Sequence, residues 1–125
     1  MAGETADVVM FGPKPIIEES LSKAPGLQLH RAFAAADHEA FIARIAPNVR
    51  AIAAVAGHGP VDSKIMSRFP RLEIVASFGV GYDHIDAKWA GEHGIIVTNT
   101  PDVLNEEVAD TALGLLLCTV RHLPQ

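Results

Sequence analysis

Leu72-Glu73-Ile74-Val75-Ala76-Ser77-Phe78-Gly79-Val80-Gly81 is the stretch whose reading decides the fold. An apolar run, residues 74–78, ends in two glycines one residue apart. It reads as a buried strand whose carboxyl end leaves backbone N–H groups bare, because neither Gly79 nor Gly81 has a Cβ to shield them. Glycine also reaches positive φ, which turns successive N–H groups toward one point. Such a turn can hold a small anion such as a carboxylate. Open α/β sheets bind ligands just outside the carboxyl ends of their strands. A tight strand-to-helix turn with no ligand would carry the same two glycines.

The flanking sequence repeats a strand–helix alternation. Val8-Val9-Met10-Phe11 reads as a first strand, closed by Gly12-Pro13. Residues 16–23 read as a helix, stopped by Pro25-Gly26, and Leu27-Gln28-Leu29-His30 as a weak second strand. Asp37 is placed to cap a helix over residues 38–46, with Phe41, Ile42 and Ile45 on one side and Pro47 at its end. Ala51-Ile52-Ala53-Ala54-Val55 is a third strand, leading into the loop Ala56-Gly57-His58-Gly59-Pro60. A short helix is expected over residues 62–69. Another is expected over residues 85–93, with Gly94 at its carboxyl end, and then a fifth strand, Ile95-Ile96-Val97. Apolar strands spaced by helices argue for a parallel sheet covered on both faces. The fold class is α/β, a flavodoxin-like doubly wound parallel sheet.

The pattern changes at the turn-rich break Thr98-Asn99-Thr100-Pro101-Asp102. A single long helix follows. Asn105 is expected as its N-cap, and Glu106, Glu107 and Asp110 put negative charge where the helix dipole favours it. That electrostatic role explains the three acids better than a catalytic cluster does. Arg121 and His122 stand at the opposite end. Residues 112–120 are apolar on almost every side, which calls for burial on more than one face. This helix therefore belongs to a second domain or a subunit interface. Gly114 inside it costs about 1 kcal/mol against Ala, which suggests that another backbone passes close by.

Composition narrows the function classes. The chain has 125 residues, one ordinary domain, with 49% hydrophobic and 20% charged residues. The net charge is -5 and the basic residues are scattered, so there is no stripe for a phosphate backbone and nucleic acid is excluded as a partner. Cys118 is the single cysteine, read as an inert core thiol that cannot form an internal disulfide. The acidic start Met1-Ala2-Gly3-Glu4-Thr5-Ala6-Asp7 lacks the features of a secretory signal. The longest apolar stretch is about half of what crosses a bilayer. A cytoplasmic protein, not bound to a membrane, is expected. His58, His84 and His93 are too widely spread for a metal site, and no H-E-x-x-H is present. His84 reads as a surface residue and Trp89 as a packing residue.

Three segments together carry a resemblance. They are residues 72–86, ending Gly79-Val80-Gly81-Tyr82-Asp83-His84-Ile85-Asp86; residues 94–104, with Thr98-Asn99-Thr100-Pro101-Asp102; and Val108-Ala109-Asp110-Thr111-Ala112, with Arg121 closing the helix. They resemble the D-isomer-specific 2-hydroxyacid dehydrogenases, above all the glyoxylate, hydroxypyruvate and hydroxyphenylpyruvate reductases. The resemblance implies a two-domain enzyme. Residues 1–99 would be the N-terminal part of the substrate domain. Residues 100–125 would be the hinge and first helix of a Rossmann coenzyme domain, and that helix would join a homodimer. Gly79, Val80 and Gly81 would hold the substrate carboxylate through backbone N–H groups. His58 and Gly59 would line the substrate cleft, and Val108 would pack near the nicotinamide. The small-molecule partner would be a 2-keto or 2-hydroxy acid, and the cofactor NADP or NAD, with NADPH favoured.

The sequence departs from the family in one respect. It has no G-x-G-x-x-G, and Gly79-Val80-Gly81 lacks the third glycine. The family's catalytic arginine, glutamate and acid/base histidine would follow Gln125. No catalytic residue is therefore expected in this chain, and alone it is expected to transfer no hydride. Two other classes on this fold fit poorly. A phosphoryl receiver needs acidic residues where Phe11-Gly12-Pro13 and Ala56-Gly57-His58 stand, and a flavodoxin needs a Ser/Thr-rich loop where Pro13-Lys14-Pro15 stands. A dehydrogenase-like corepressor, or a dimerising module without turnover, remains the rival class.

Overall fold

The computed structural model describes residues 5–123; the acidic start, residues 1–4, lies outside them. Five strands and five α-helices alternate along the chain. They are β1 (Ala6–Met10), α1 (Pro15–Lys23), β2 (Leu27–Arg31), α2 (His38–Ile45), β3 (Val49–Val55), α3 (Ser63–Met66), β4 (Ile74–Phe78), α4 (Ala87–Glu92), β5 (Ile96–Thr98) and α5 (Asn105–Arg121). A single 3-10 turn, Ala32–Ala34, follows β2. All strand pairs are parallel and the order is β2-β1-β3-β4-β5. That is the flavodoxin-like order, in which the chain starts on the interior strand β1, moves to β2 at one edge and then crosses to β3, β4 and β5 on the other side.

Aspartates start three of the helices. Asp37 accepts from the Ala40 N–H, Asp62 from Ile65 and Asp86 from Trp89, each at 3.0 Å. Each bond satisfies one of the orphan donors of a first helical turn. Four expected boundaries move. α4 begins at Ala87 rather than Ile85, because Ile85 pairs in an isolated parallel bridge with Val61. Asn105 does not cap α5: the N-cap is Leu104, and the Asn105 amide bonds to the Asp102 carboxylate at 2.9 Å. α3 is one turn shorter than the expected 62–69, and β3 begins two residues before Ala51.

Side chains alternate across the pleat, so each strand feeds two cores. Val9, Ile52, Ala54 and Val75 face α2, α3 and α4, where Ile42, Ile45, Met66 and Ala90 cover them. Val8, Met10, Ala53 and Val55 face α1, which contributes Ile17 and Leu21. The expectation of a sheet covered on both faces holds only in part. Over β4 and β5 the α1-side face is open, leaving Phe78 at 44% and Ile96 at 61% exposure.

α5 stands apart from both cores. None of its residues is buried, and Leu113, Leu115, Leu116, Leu117 and Val120 are all exposed. Cys118 is half-exposed rather than the core thiol the sequence suggests. Among the described residues nothing outside the helix lies within 4 Å of a Cβ built on Gly114, so the backbone expected there would belong to a second domain or a second subunit.

Candidate functional site

The carboxyl ends of β1, β3 and β4 are neighbours in the sheet, so the loops after them form one rim. Contacts at missing side chains lock these loops together. A Cβ on Gly12, after β1, would lie 2.1 Å from His58 Cγ and 2.3 Å from His58 Cβ. The His58 side chain thus occupies the place a side chain at position 12 would need. Gly57 (φ +88) and Gly59 (φ +97) flank His58 in the left-handed region, which only glycine enters at low cost. Next along the sheet, Gly79 packs beside Ala56, whose Cβ would be 3.5 Å from a Cβ at Gly79.

Gly79 and Gly81 do not sit in the left-handed region, so the positive φ expected for them belongs instead to Gly57 and Gly59. The bareness of their N–H groups is retained by other means. Among the described residues, no acceptor bonds the Val80 or the Gly81 N–H. The loop's carbonyls are engaged from the far side. The Thr100 N–H donates to the Gly79 oxygen at 3.0 Å, and the Asn99 side-chain amide donates to the Val80 oxygen at 2.7 Å. Val80 is half-buried and Gly81 exposed, so donors at the edge of a packed sheet remain open to a solute.

Two charged groups share this rim. The Lys14 ammonium lies 5.3 Å from the centroid of the Phe78 ring, directly before Gly79. The Asp83 carboxylate comes within 3.6 Å of the place a Gly81 Cβ would take, which opposes an anion there; Asp83 is exposed and free to turn into water. Beneath the rim, Ser77 Oγ is buried without a partner, 3.8 Å from a Cβ at Gly79. His84 differs from its expected surface setting: it is half-buried and its Nε2 is shielded without a hydrogen-bond partner. Beside the loop, Tyr82, Ala87, Gly91, Ile95, Val97 and Asn99 line a depression of about 410 Å³.

Residues 8–114 match the profile of the D-isomer specific 2-hydroxyacid dehydrogenase catalytic domain. The chain belongs to that family. Among 2-hydroxyacid dehydrogenase relatives, it is 37% identical over 121 residues to a hydroxyphenylpyruvate reductase from Plectranthus scutellarioides, covering 96% of this chain and 38% of that one. Its structure resembles the 2-hydroxyacid dehydrogenase from Ketogulonicigenium vulgare Y25 at a TM-score of 0.79 and 34% identity, over 96% of this chain and 37% of that one. It also resembles the NADPH-dependent glyoxylate/hydroxypyruvate reductase from Sinorhizobium meliloti, solved in complex with NADP and malonate. There the TM-score is 0.70 and the identity 40%, over 93% of this chain and 34% of that one. The chain thus spans less than two-fifths of these dehydrogenases' length.

The remaining sequence-selected residues lie away from the rim or carry other roles. Val108 is on α5, 62% exposed, in an apolar groove with Leu104, Thr111, Ala112 and Leu115. The chain carries no G-x-G-x-x-G, and this groove offers a dinucleotide's phosphates no donor set, so the residues present do not form a dehydrogenase coenzyme site. Among the described residues no three His, Cys, Asp or Glu side chains are grouped to hold a metal. The perturbed carboxyls also lie elsewhere. A hydrogen bond from Arg68 holds Glu39 below the ordinary carboxylate value, and one from Arg50 does the same for Glu73. The sequence places Asn99 in the turn-rich break at the hinge; its link to Val80 depends on β5 lying beside β4, which no local pattern encodes.

Proposed function

We propose that the protein carrying this chain is an NAD(P)-dependent oxidoreductase that reduces a 2-keto acid, such as glyoxylate or hydroxypyruvate, to the D-2-hydroxy acid. Residues 1–99 serve as the N-terminal part of its substrate domain, and residues 100–125 as the hinge and first helix of its coenzyme domain. The observation that carries the reading is the pair of open N–H groups at Val80 and Gly81, on the rim where open α/β sheets bind ligands. A carboxylate accepts two such donors, in bonds about twice as strong as neutral ones. Gly79 gives access, while His58 and Gly59 form the neighbouring wall of the cleft. Pinning the carboxylate fixes which face of the ketone meets the reductant, and so sets the D outcome. The malonate-bound S. meliloti reductase, a protein of similar fold, supports a carboxylate as the recognised group.

NADPH is the favoured coenzyme, on the strength of that same NADPH-dependent relative. Because the residues here form no coenzyme site, its binding and the proton transfer are assigned to the remainder of the protein, and this chain contributes substrate capture. Val108 adds at most an apolar contact to the nicotinamide. α5, with its exposed leucines, is the proposed homodimer surface, and the setting is cytoplasmic. No described helix is long and apolar enough to cross a membrane. The test is turnover by the complete protein with glyoxylate and with hydroxypyruvate, each with NADPH and NADH. Oxidation of either coenzyme supports the proposal. Silence in all four assays, with the protein folded, favours the corepressor class.

A further inference from the structure

We infer that Asn99 and the Thr100 backbone are the positioning elements of the carboxylate site, so that the hinge segment itself aims the two donors. The inference rests on the carboxylate reading above. A trans peptide unit is planar, with its C=O and N–H pointing in opposite directions, and no peptide bond in the described chain is cis. The Gly79 oxygen and the Val80 N–H belong to one such unit. The Val80 oxygen and the Gly81 N–H belong to the next. Both oxygens are gripped by consecutive residues of the strand exit, from the Thr100 N–H at 3.0 Å and the Asn99 Nδ2 at 2.7 Å. Fixing the two oxygens fixes the two planes, and both N–H groups are turned to the side away from residues 99 and 100. Left ungripped, an exposed Gly-Val-Gly turn would sample many plane orientations, and a ligand would have to select one.

β5 ends at Thr98 and α5 begins at Asn105, so residues 99 and 100 stand at the exit from the sheet.

The test uses 15N–1H spectra of the complete protein titrated with oxalate, on the wild type and on Asn99→Asp. Aspartate keeps the shape of the side chain, removes the donor and adds a charge, so each titration is repeated at high salt, which screens that charge. The expected result is that oxalate shifts the Val80 and Gly81 amides in the wild type, and that the Asn99 side-chain NH2 signal shifts with them. Asn99→Asp should bind oxalate about tenfold more weakly, with a melting temperature lowered by the loss of the part-buried bond to the Val80 oxygen. If the wild-type Val80 and Gly81 amides ignore oxalate, the carboxylate reading itself fails, and this inference falls with it. If they respond but Asn99→Asp binds equally well, the positioning role alone is overturned. Should Asn99→Asp not fold, the wild-type NH2 signal decides: one that stays still while Val80 and Gly81 move overturns the role.

Discussion

Gly12→Ala is the perturbation whose consequence can be worked most directly from the coordinates. The new Cβ would meet His58 Cγ at 2.1 Å, Cβ at 2.3 Å and Cδ2 at 2.6 Å. Ordinary contact begins at 3.4 Å, so Cγ must retreat by about 1.3 Å. Rotation about χ1 can swing Cγ and Cδ2 away, but it leaves Cβ in place. The backbone at position 58 therefore has to move, and with it the loop after β3. Flanking glycines let that loop give, which keeps the cost in the overpacking range of about 1–3 kcal/mol. For a domain of this size the melting temperature should fall by roughly 4–12 °C. Urea denaturation should show a lower midpoint at an unchanged slope. The second-site result is sharper. His58→Gly removes all three clashing atoms and should restore Gly12→Ala to within about 1 kcal/mol of the wild type, the remainder being glycine's backbone entropy. His58→Ala keeps the Cβ and should rescue only in part. A Gly12→Ala protein that melts with the wild type, or one that His58→Gly fails to rescue, would refute the interlocked rim.

Gly79→Ala and Gly81→Ala should leave the unfolding free energy within about 1 kcal/mol of the wild type, since neither glycine needs left-handed backbone, while weakening oxalate binding in the titration described above. Asp86→Ala removes the cap on the Trp89 N–H and should cost about 1 kcal/mol, read in chemical denaturation of this chain followed by the fluorescence of Trp89, its single tryptophan. Gly114→Ala should weaken self-association in sedimentation, because the proposed dimer brings another backbone against α5; unchanged association with a higher melting temperature would count against that packing. Glu39 and Glu73 have folded values held below the ordinary 4.5 by Arg68 and Arg50. Their stabilisation is therefore complete above the unfolded value and is lost as pH falls through the lowered folded value. Thermal melts from pH 6 to pH 3 should fall less steeply for the Glu39→Gln/Glu73→Gln double variant, and the difference should shrink in high salt because both pairs are exposed.

The strands and their order were legible because each central strand carries an unbroken apolar run that no exposed element would tolerate. Val9, Ile52 and Val75 are completely buried at the middle of the sheet. Boundaries were less legible where a tertiary bond outcompetes local propensity. Ile85 extends the helical pattern of α4 but pairs with Val61, and Asn105 looks like a cap but bonds to Asp102, itself at φ 66. The glycine turn of the candidate site is visible in sequence, since its signal is local. Its supports could not. Gly12 and His58 are 46 positions apart, and Asn99 lies 19 beyond Val80, so only the parallel pairing of β1, β3, β4 and β5 brings these groups to one edge. α5 was legible as a helix needing cover, and the described residues supply none.

The structure also changes why the two glycines matter. The sequence argument relied on conformation, with glycine needed to turn several N–H groups inward. The backbone at Gly79 and Gly81 is one that other residues adopt, and a Cβ at Gly79 would meet its neighbours only at ordinary contact distance. What glycine would supply to the proposed site is access, since neither position puts its own Cβ beside the donors, the exposed Asp83 carboxylate being the nearest group at Gly81. Orientation is supplied from behind, by Thr100 and Asn99 on the carbonyls, and support from below, by Ala56 at the end of β3. The two tasks are thus divided between residues that are far apart in sequence. This division lets the donors stay uncovered without being floppy: the loop is held entirely through atoms that a bound carboxylate would not need. A site built this way loses affinity when its rear contacts are cut, with no change to any residue that touches the ligand.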